Sequence, residues 1–375
     1  MQKTIAVLGS TGFIGSATLQ IARHLRFPVV ALAAKSNIDV LEAQAREFHP
    51  QLIAVYEPKS AQELQRRLPH IPVLAGLEGL KEVARSAQFI MLAMSGNLGI
   101  FPAITAIEAG KQIGLANKEL LITAGELIAN LAQQKGVEIL PVDSEHSALF
   151  QCLRGAKKEE VRRLILTASG GPFFHKSPKD LQTVTLEEAM AHPNFRMGPK
   201  VTIDCSTLMN KGLEMIEAKW LYGIDPSRVE AVIHPEQRIQ SCVEFIDGVV
   251  MAQIAEPNML IPIQYALTYP ERKQGMLPPY DFTKNHTLHF YPPDPDPFRC
   301  FKLATFAMRA GQSYPCFLNA ANEVLVERFL KKKIAWIEIG EKLEKLISSH
   351  DPQNLLTLEA ILEVDAKARE LASGV

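Results

Sequence analysis

The sequence predicts an α/β protein that also contains an α+β domain and a carboxyl-terminal helical domain, and three observations support this fold class. From residue 4 to about 142, short apolar runs such as TIAVL, VVALA and FIMLAM alternate with helical patterns, which is typical of a parallel sheet wrapped by helices. From residue 143 to about 270, strand-like runs such as RLILTA are mixed with helical patterns, notably from Thr207 to Leu221. From Lys302 onward, apolar residues recur with a helical period.

A proline-rich stretch precedes the last of these parts. The chain from Tyr269 to Phe298 contains TYPERKQGMLPPY and YPPDPDPF, and so many prolines cannot occupy a helix or a central strand. At 375 residues the chain is also longer than a single core usually grows. We therefore expect an α/β domain at 1–142, an α+β domain at 143–270, a linker at 271–298 and a helical domain at 299–375.

The composition excludes several classes of protein. The 40 basic and 41 acidic residues leave no field that would attract nucleic acid or an anionic membrane. The five cysteines are odd in number and form no CxxC motif, which argues against a disulfide framework or a zinc knuckle and favours a reducing cytosol. The long apolar stretch that begins at Phe89 is interrupted by Gly96, Asn97, Gly99 and Pro102. We therefore expect a soluble protein without a membrane span or a targeting peptide.

A glycine-rich loop follows the first predicted strand. The run IAVLGSTGFIGSATLQIA places Gly9, Gly12 and Gly15 between a strand and a helix. Glycines there allow the backbone to turn tightly and to approach a pyrophosphate, which then lies at the start of the helix. The spacing is GxxGxxG rather than GxGxxG, so the position in the fold, more than the motif, favours a dinucleotide site over a plain glycine-rich turn.

The end of the second predicted strand favours NADP over NAD. NAD-binding proteins carry an acidic residue there, whereas this chain has Lys35, Ser36 and Asn37. The alternative, that Lys35 is simply a solvated loop residue, stays open. The Tyr-x-x-x-Lys motif of short-chain dehydrogenases occurs at Tyr280 and Lys284, but it follows two prolines and is interpreted as accidental.

The segment PVDSEHSALF contains a candidate metal site. Asp143 and Glu145 follow a strand two residues apart, but two carboxylates are too few for a divalent cation that takes about six oxygen ligands. A third carboxylate is available at Glu214, which shares a helix face with Asn210 and Lys211. Two ordinary alternatives remain open. Asp143 or Ser144 can cap a helix, and Lys211 with Glu214 can form a surface ion pair. His146 alone is more often a structural histidine than a ligand.

Two further segments lie between the carboxylates in the sequence. Ser169, Gly170 and Gly171 follow the strand RLILTA and form a turn that can hold an anion. The segment AHPNFRMGPK, residues 191–200, has the small hinge-like residues of a lid.

Together these segments resemble the 1-deoxy-D-xylulose 5-phosphate reductoisomerase family. GSTGFIG, LANKE, VDSEHSA, ASGGPF, HPNFRMG, STLMNKGLE and LNAANEV occur in the order found there, so the resemblance runs nearly end to end. It implies a Rossmann-like NADPH-binding domain, an α+β catalytic and dimerisation domain with a flexible flap, a linker and a carboxyl-terminal helical domain. It also implies a homodimer, NADPH, and a Mg²⁺ or Mn²⁺ ion. The implied reaction isomerises 1-deoxy-D-xylulose 5-phosphate and reduces the resulting aldehyde to 2-C-methyl-D-erythritol 4-phosphate, for isoprenoid precursor biosynthesis.

The resemblance also implies roles for individual residues. The implied metal ligands are Asp143, Glu145 and Glu214, and the implied catalytic residues are Lys118, Glu145 and His192. The implied substrate contacts are Lys118, Ser144, Glu145, Ser169, His192, Cys205, Asn210, Lys211 and Glu214. The implied cofactor contacts are Thr11, Gly12, Phe13, Ile14, Lys35, Ser36, Asn37, Asn117, Glu119 and Gly198.

The chain departs from the family pattern in three places. Phe195 stands where the flap usually carries tryptophan, which keeps an aromatic cover without its N–H. Cys205 stands where many members have a phosphate-contacting serine, and a backbone N–H or Ser206 could replace that hydroxyl. HPEQRIQ and AEPNML, within residues 234–260, differ from the usual sequence in a region expected at the dimer interface.

Two other functions fit part of the pattern. A generic NADP-dependent dehydrogenase would explain the glycine loop but not three converging carboxylates. A catalytically silent dinucleotide-binding regulator would be favoured if Lys118, Asp143, Glu145 or Glu214 were missing, and all four are present.

Overall fold

The structure is a computed structural model of the chain, and it describes residues 3–191 and 198–375. The contacts among the described residues form two compact units. Unit 1 contains residues 3–120, 128–147 and 258–279. Unit 2 contains residues 121–127, 148–191, 198–257 and 280–375. Among the described helices, none is long and apolar enough to cross a membrane.

Unit 1 is built on a seven-stranded parallel sheet, which confirms the predicted α/β class. Its strands are β1 Ile5–Leu8, β2 Val29–Ala34, β3 Leu52–Val55, β4 Val73–Ala75, β5 Phe89–Leu92, β6 Gln112–Leu115 and β7 Ile139–Pro141. The spatial order is β4-β3-β2-β1-β5-β6-β7. β1 is the central strand, and all four of its side chains are apolar and buried, as a parallel sheet covered on both faces requires. The sequence did not reveal β4, because three residues with no buried side chain carry too short a pattern.

Unit 2 contains a mixed four-stranded sheet. Its strands are β8 Val161–Ala168, β9 Val229–Ile233, β10 Ile239–Phe245 and β11 Val250–Ile254, in the spatial order β11-β10-β8-β9. β8 is parallel to β9 and antiparallel to β10, and β10 is antiparallel to β11. β10 was not predicted, because its sequence IQSCVEF carries buried polar residues such as Gln240 and Ser241 and lacks a clear alternation.

Fifteen α-helices accompany these sheets in the described part of the chain. They are α1 Phe13–Leu25, α2 Ile38–Phe48, α3 Pro58–Arg67, α4 Gly76–Arg85, α5 Ile100–Glu108, α6 Lys118–Lys135, α7 Ser144–Cys152, α8 Leu186–Ala189, α9 Pro199–Ser206, α10 Met209–Tyr222, α11 Leu260–Thr268, α12 Arg299–Ala310, α13 Tyr314–Leu330, α14 Trp336–Ser348 and α15 Leu358–Gly374. The last four confirm the predicted helical carboxyl-terminal region. α10 packs tightly on α12, since a Cβ added to Gly212 would lie 2.3 Å from the Ala304 Cβ.

The proline-rich segment is irregular, as its composition predicts. Among residues 271–298 the structure has neither a helix nor a strand, so Tyr280 and Lys284 are not aligned on a helix. The second half of the segment belongs to unit 2, where Tyr291 forms an isolated bridge with Ile233. α11, by contrast, packs on α1 within unit 1. The two compact units group these segments differently from the predicted four-part domain division. That division stays a prediction.

Candidate active site

The glycine loop lies where the order of the strands changes direction. β1 is flanked by β2 and β5, so the loop that follows β1 opens at the switch point where α/β sheets bind ligands. Gly9 has φ +85°, and a Cβ there would lie 2.4 Å from the Ala93 carbonyl oxygen. A Cβ on Gly15 would lie 2.2 Å from the Gly9 oxygen. Two of the three glycines are therefore required by the fold itself.

The start of α1 is open to an anion. Gly12 is the N-cap residue, no side chain caps the helix, and the first turn has no acidic residue. A Cβ on Gly12 would approach the Gly9 oxygen only to an ordinary contact of 3.4 Å, so the fold does not by itself demand a glycine there. Phe13 is 72% exposed. Free N–H groups at the amino end of a 13-residue helix favour a phosphate, which agrees with the predicted pyrophosphate site.

The end of β2 presents exposed polar groups. Lys35, Ser36 and Asn37 are all exposed directly after the strand. The Asn37 side chain accepts a hydrogen bond from the Val40 N–H at 3.3 Å and thereby caps α2. This arrangement fits both a 2′-phosphate contact and a solvated loop, so the assignment of Lys35 stays a prediction.

Two residues predicted from separate motifs meet at the ends of β6 and β7. These strands are parallel neighbours, so their carboxyl ends lie at the same edge of the sheet. Lys118 begins α6 after β6, and Asp143 follows β7. The Lys118 Nζ lies 2.9 Å from the Asp143 Oδ2, and both side chains are largely buried, at 13% and 19% exposed. The ion pair places a cation and a carboxylate together at the edge where ligands bind.

Asn117 and Glu119 flank this lysine at the start of α6. Asn117 is 3% exposed, and its amide nitrogen donates to the Gly96 carbonyl oxygen at 3.0 Å. Its amide oxygen accepts from the Leu120 N–H at 3.3 Å and caps the helix. Glu119 is half-buried in the first turn, where an acidic residue suits the helix dipole. Asn117 therefore joins the loop after β5 to α6, and the cofactor contacts proposed for both residues stay predictions.

At the start of α7 the Asp143 side chain bonds the helix backbone, and the metal-ligand roles predicted for Asp143 and Glu145 stay predictions. The Asp143 backbone oxygen accepts from the Ser147 N–H at 2.8 Å, and its Oδ1 accepts from the Ser144 N–H at 3.1 Å. The other oxygen, Oδ2, faces Lys118. The Ser144 hydroxyl donates to the Glu145 carboxylate, and Glu145 is 7% exposed. His146 is fully buried with its Nδ1 3.8 Å from Asp143, which agrees with a supporting rather than an exposed role.

The second group of predicted residues lies on α10 in unit 2. Leu208 has a left-handed backbone conformation, with φ +58°, and separates α9 from α10. The first turn of α10 then carries Asn210 and Lys211. Both donate to the Glu214 carboxylate. Lys211 is 3% and Glu214 is 1% exposed, so the surface ion pair considered as an alternative is excluded. Because two side chains donate to the buried Glu214 carboxylate, its position on α10 is well defined.

The predicted anion turn contacts the end of α9. The Ser169 hydroxyl accepts from the Gly171 N–H at 3.1 Å, and both glycines of the turn have positive φ. A Cβ on Gly171 would lie 2.5 Å from the Cys205 carbonyl oxygen, so this turn and Cys205 are in direct contact. Cys205 itself is partly exposed. The structure therefore brings the turn that carries Ser169 against Cys205 within unit 2. The phosphate contacts predicted for both residues stay predictions.

Ser206 is not available to replace the missing serine hydroxyl. It is fully buried, its Oγ donates to the Ile203 carbonyl oxygen at 2.7 Å, and it accepts from the Trp336 Nε1 at 2.8 Å. One of the two substitutes expected for the serine at position 205 is thereby removed. Trp336 was missed by sequence reasoning, because nothing in its local sequence signals a partner so far along the chain.

Parts of the predicted lid lie outside the described residues. His192 and Phe195 are among them, so their roles stay predictions. Gly198 is described: it is exposed and is the N-cap residue of α9, and a Cβ there would meet nothing within 4 Å.

Comparison with known proteins finds family models and relatives that match almost the whole chain. Three family models match: 1-deoxy-D-xylulose 5-phosphate reductoisomerase over residues 5–125, its C-terminal domain over residues 139–222, and the DXP reductoisomerase C-terminal domain over residues 254–371. The reductoisomerase of Protochlamydia amoebophila (strain UWE25) is 54% identical over 375 residues, which cover 99% of this chain and 98% of that protein. The reductoisomerase of Chlamydia trachomatis serovar L2 is 47% identical, with 99% of each chain covered.

Solved structures show the same similarity. The reductoisomerase from Zymomonas mobilis in complex with NADPH is 37% identical with a TM-score of 0.95, covering 100% of this chain and 99% of that one. A DOX-P reductoisomerase in complex with NADPH, fosmidomycin and magnesium is 39% identical with a TM-score of 0.92, covering 100% of this chain and 98% of that one.

Proposed function

The chain belongs to the 1-deoxy-D-xylulose 5-phosphate reductoisomerase family, and on that premise we propose that it converts 1-deoxy-D-xylulose 5-phosphate to 2-C-methyl-D-erythritol 4-phosphate. The reaction uses NADPH and a divalent metal ion and supplies isoprenoid precursors. The observation that carries the proposal is the 54% identity over nearly the whole chain. The buried Lys211 and Glu214 with the partly buried Asn210, and the Lys118–Asp143 pair, support it.

The proposed metal ligands are Asp143, Glu145 and Glu214. All three offer carboxylate oxygens, the donor type that Mg²⁺ and Mn²⁺ prefer, so the residues present fit such an ion. When bound, the ion supplies Lewis-acid polarisation of the substrate's carbonyl and hydroxyl oxygens. Lys118, held against Asp143 at 2.9 Å, adds a fixed positive charge near these oxygens.

The remaining predicted residues divide between the two ligands. We propose that Ser144, Ser169, His192, Cys205, Asn210 and Lys211 contact the sugar phosphate. The open end of α1 holds the cofactor pyrophosphate through Thr11, Gly12, Phe13 and Ile14, while Lys35, Ser36 and Asn37 contact its 2′-phosphate. Asn117, Glu119 and Gly198 complete the cofactor contacts. NADPH supplies the hydride, and closure over the site excludes water from the aldehyde.

The assay that tests this function follows NADPH absorbance with 1-deoxy-D-xylulose 5-phosphate, with and without Mg²⁺ or Mn²⁺. We expect metal-dependent oxidation and a product with a rearranged carbon skeleton. A reduced product with the original skeleton would instead identify a generic dehydrogenase. Metal-independent oxidation, or no oxidation, would overturn the proposal.

A homodimer is also part of the proposal, and the free edge of β11 supports it. β11 is at the edge of its sheet and, among the described residues, pairs only with β10. It exposes 52% of Val250, 48% of Met251 and 37% of Ile254. An apolar edge strand is a template for pairing with a second chain. Light scattering is expected to give twice the chain mass, and Met251→Lys to lower it; an unchanged dimer would exclude this surface.

We further propose a cytoplasmic location, which the cysteines support. All five are free thiols. Burial raises the pKa of Cys152 and Cys242 to about 11 and that of Cys300 to about 12, which keeps these thiols protonated and unreactive. Cell fractionation tests this location, and recovery outside the cytoplasmic fraction would contradict it.

A further inference from the structure

The carboxyl-terminal helices of unit 2 contact the proposed phosphate pocket through Trp336. This residue begins α14, is 4% exposed and is one of only two tryptophans in the chain. It touches two elements of the pocket that are far apart in sequence: the end of α9 and the turn that follows β8.

The contact with α9 is a hydrogen bond between buried groups. The Trp336 Nε1 donates to the Ser206 Oγ at 2.8 Å, and Ser206 is fully buried. Ser206 is the last residue of α9 and follows Cys205 directly, and α10 with Asn210 and Lys211 begins three residues later. The indole therefore holds the point at which the chain turns from α9 into α10.

The contact with the turn is aromatic. Phe173 lies two residues after Gly171 and is 1% exposed. Its ring meets the Trp336 ring edge-on, with centroids 5.3 Å apart and planes at 86°. Such an edge-to-face pair restrains both rings beyond simple burial. Because Phe173 is joined to the turn that carries Ser169, the same indole restrains the turn and α9 together.

The turn and α9 are also in contact with each other. A Cβ on Gly171 would lie 2.5 Å from the Cys205 oxygen and 3.3 Å from the Ser206 Cα. Trp336 supports this junction from within the helical region, without itself being among the proposed phosphate contacts. Donors that bind a tetrahedral anion must keep their spacing to a fraction of an ångström.

We propose that Trp336 is a positioning residue for the substrate phosphate, acting through Ser206 and Phe173. The inference rests on the proposed function, which places the phosphate at Ser169, Cys205, Asn210 and Lys211. It predicts that the indole N–H affects phosphate affinity although it does not touch the phosphate.

The test compares Trp336→Phe, which removes the N–H and keeps an aromatic ring, with Ser206→Ala, which removes the acceptor. The matched control is Trp220→Phe, the same change at the other tryptophan, whose ring packs against Gly125. Inorganic phosphate is titrated by calorimetry into the NADPH-bound protein, and kcat and both KM values are measured. We expect W336F and S206A to weaken phosphate binding and raise the substrate KM about fivefold, the effect of roughly one hydrogen bond. In W336F and S206A we expect kcat and the NADPH KM to change less than twofold. In W220F we expect phosphate affinity, kcat and both KM values to change less than twofold.

A purely structural role gives a different pattern. It lowers the unfolding midpoint and the active fraction, and hence the apparent kcat, while phosphate affinity and KM stay as in the wild type. The proposal would be overturned if the phosphate affinity of W336F were within twofold of that of W220F. It would also be overturned if the losses of phosphate affinity in S206A and W336F simply added in the double variant S206A/W336F. A wild-type protein that binds phosphate without turnover would refute the proposed function and leave the phosphate comparison to decide the role of Trp336. Absence of phosphate binding by the wild type would overturn both.

Discussion

Replacing Glu214 with glutamine separates the structural contribution of this carboxylate from its proposed metal-binding role. Glu214 is 1% exposed, and Lys211, which donates to it, is 3% exposed. Removing the negative charge takes away the carboxylate to which the buried Lys211 ammonium donates, and breaking a buried pair in this way costs about 3–5 kcal/mol of unfolding free energy. Replacing Lys211 as well, in K211M/E214Q, removes both charges and is expected to restore most of that stability.

Activity is expected to behave differently from stability. If Glu214 is a metal ligand, both E214Q and K211M/E214Q lose Mn²⁺ affinity, and turnover falls by on the order of 1000-fold, because several kcal/mol of Lewis-acid stabilisation is lost. NADPH affinity stays near the wild-type value. The measurements are urea unfolding, Mn²⁺ binding followed by electron paramagnetic resonance, and the NADPH absorbance assay.

Asp204 offers a matched control for this experiment. It is also 1% exposed, its Oδ2 lies 2.9 Å from the Lys200 Nζ, and its Oδ1 accepts from the Asn322 side chain at 2.9 Å. Lys200 is 26% exposed, so we expect Asp204→Asn to cost less stability than E214Q and to leave Mn²⁺ affinity unchanged. Wild-type Mn²⁺ affinity and turnover in E214Q would remove Glu214 from the proposed metal site.

Three further predictions follow from separate parts of the structure. Gly9→Ala places a Cβ 2.4 Å from a backbone oxygen at φ +85°, so we expect the free energy of unfolding to fall by about 2–3 kcal/mol and NADPH to bind weakly. Gly136→Ala, at φ +61° with no atom within 4 Å, is expected to lower the free energy of unfolding by only about 1 kcal/mol. Thermal denaturation with and without NADPH measures both effects. Lys35→Ala raises the KM for NADPH about tenfold and that for NADH little, and a wild type that uses both cofactors equally would exclude the 2′-phosphate contact. Burial lowers the pKa of His350, so between that lowered pKa and about 6.5 the unfolded chain binds more protons than the folded chain, and stability is lost as the pH falls through this window. We expect His350→Asn to reduce this loss of stability, measured by urea unfolding at several pH values. A pH profile of stability that is the same in the variant and the wild type would contradict the prediction.

The features that the sequence predicted well depend on short stretches of chain. The strand, glycine loop and helix at the amino terminus are contiguous, and so are the motifs around Asp143 and Glu214. A helical spacing of three or four residues brings Asn210 and Lys211 to Glu214 wherever the helix lies. Fold class and family membership were predictable for the same reason.

The features that were missed depend on which surfaces meet. β4 and β10 are stabilised by neighbouring strands rather than by a strong pattern of their own. Burial of Lys211 and Glu214, which excludes the surface pair, is not visible in their spacing. The hydroxyl of Ser206 looked available in the sequence, but Ile203 and Trp336 already occupy it.

The sequence by itself therefore determined the order of the elements, the residue types at the site and the family. The tertiary structure alone decided that Lys118 meets Asp143 and that Trp336 meets Ser206. The physical reason is range, because local spacing specifies backbone geometry over one or two turns. Hydrogen-bond partners and exposure instead depend on the packing of segments that are distant along the chain.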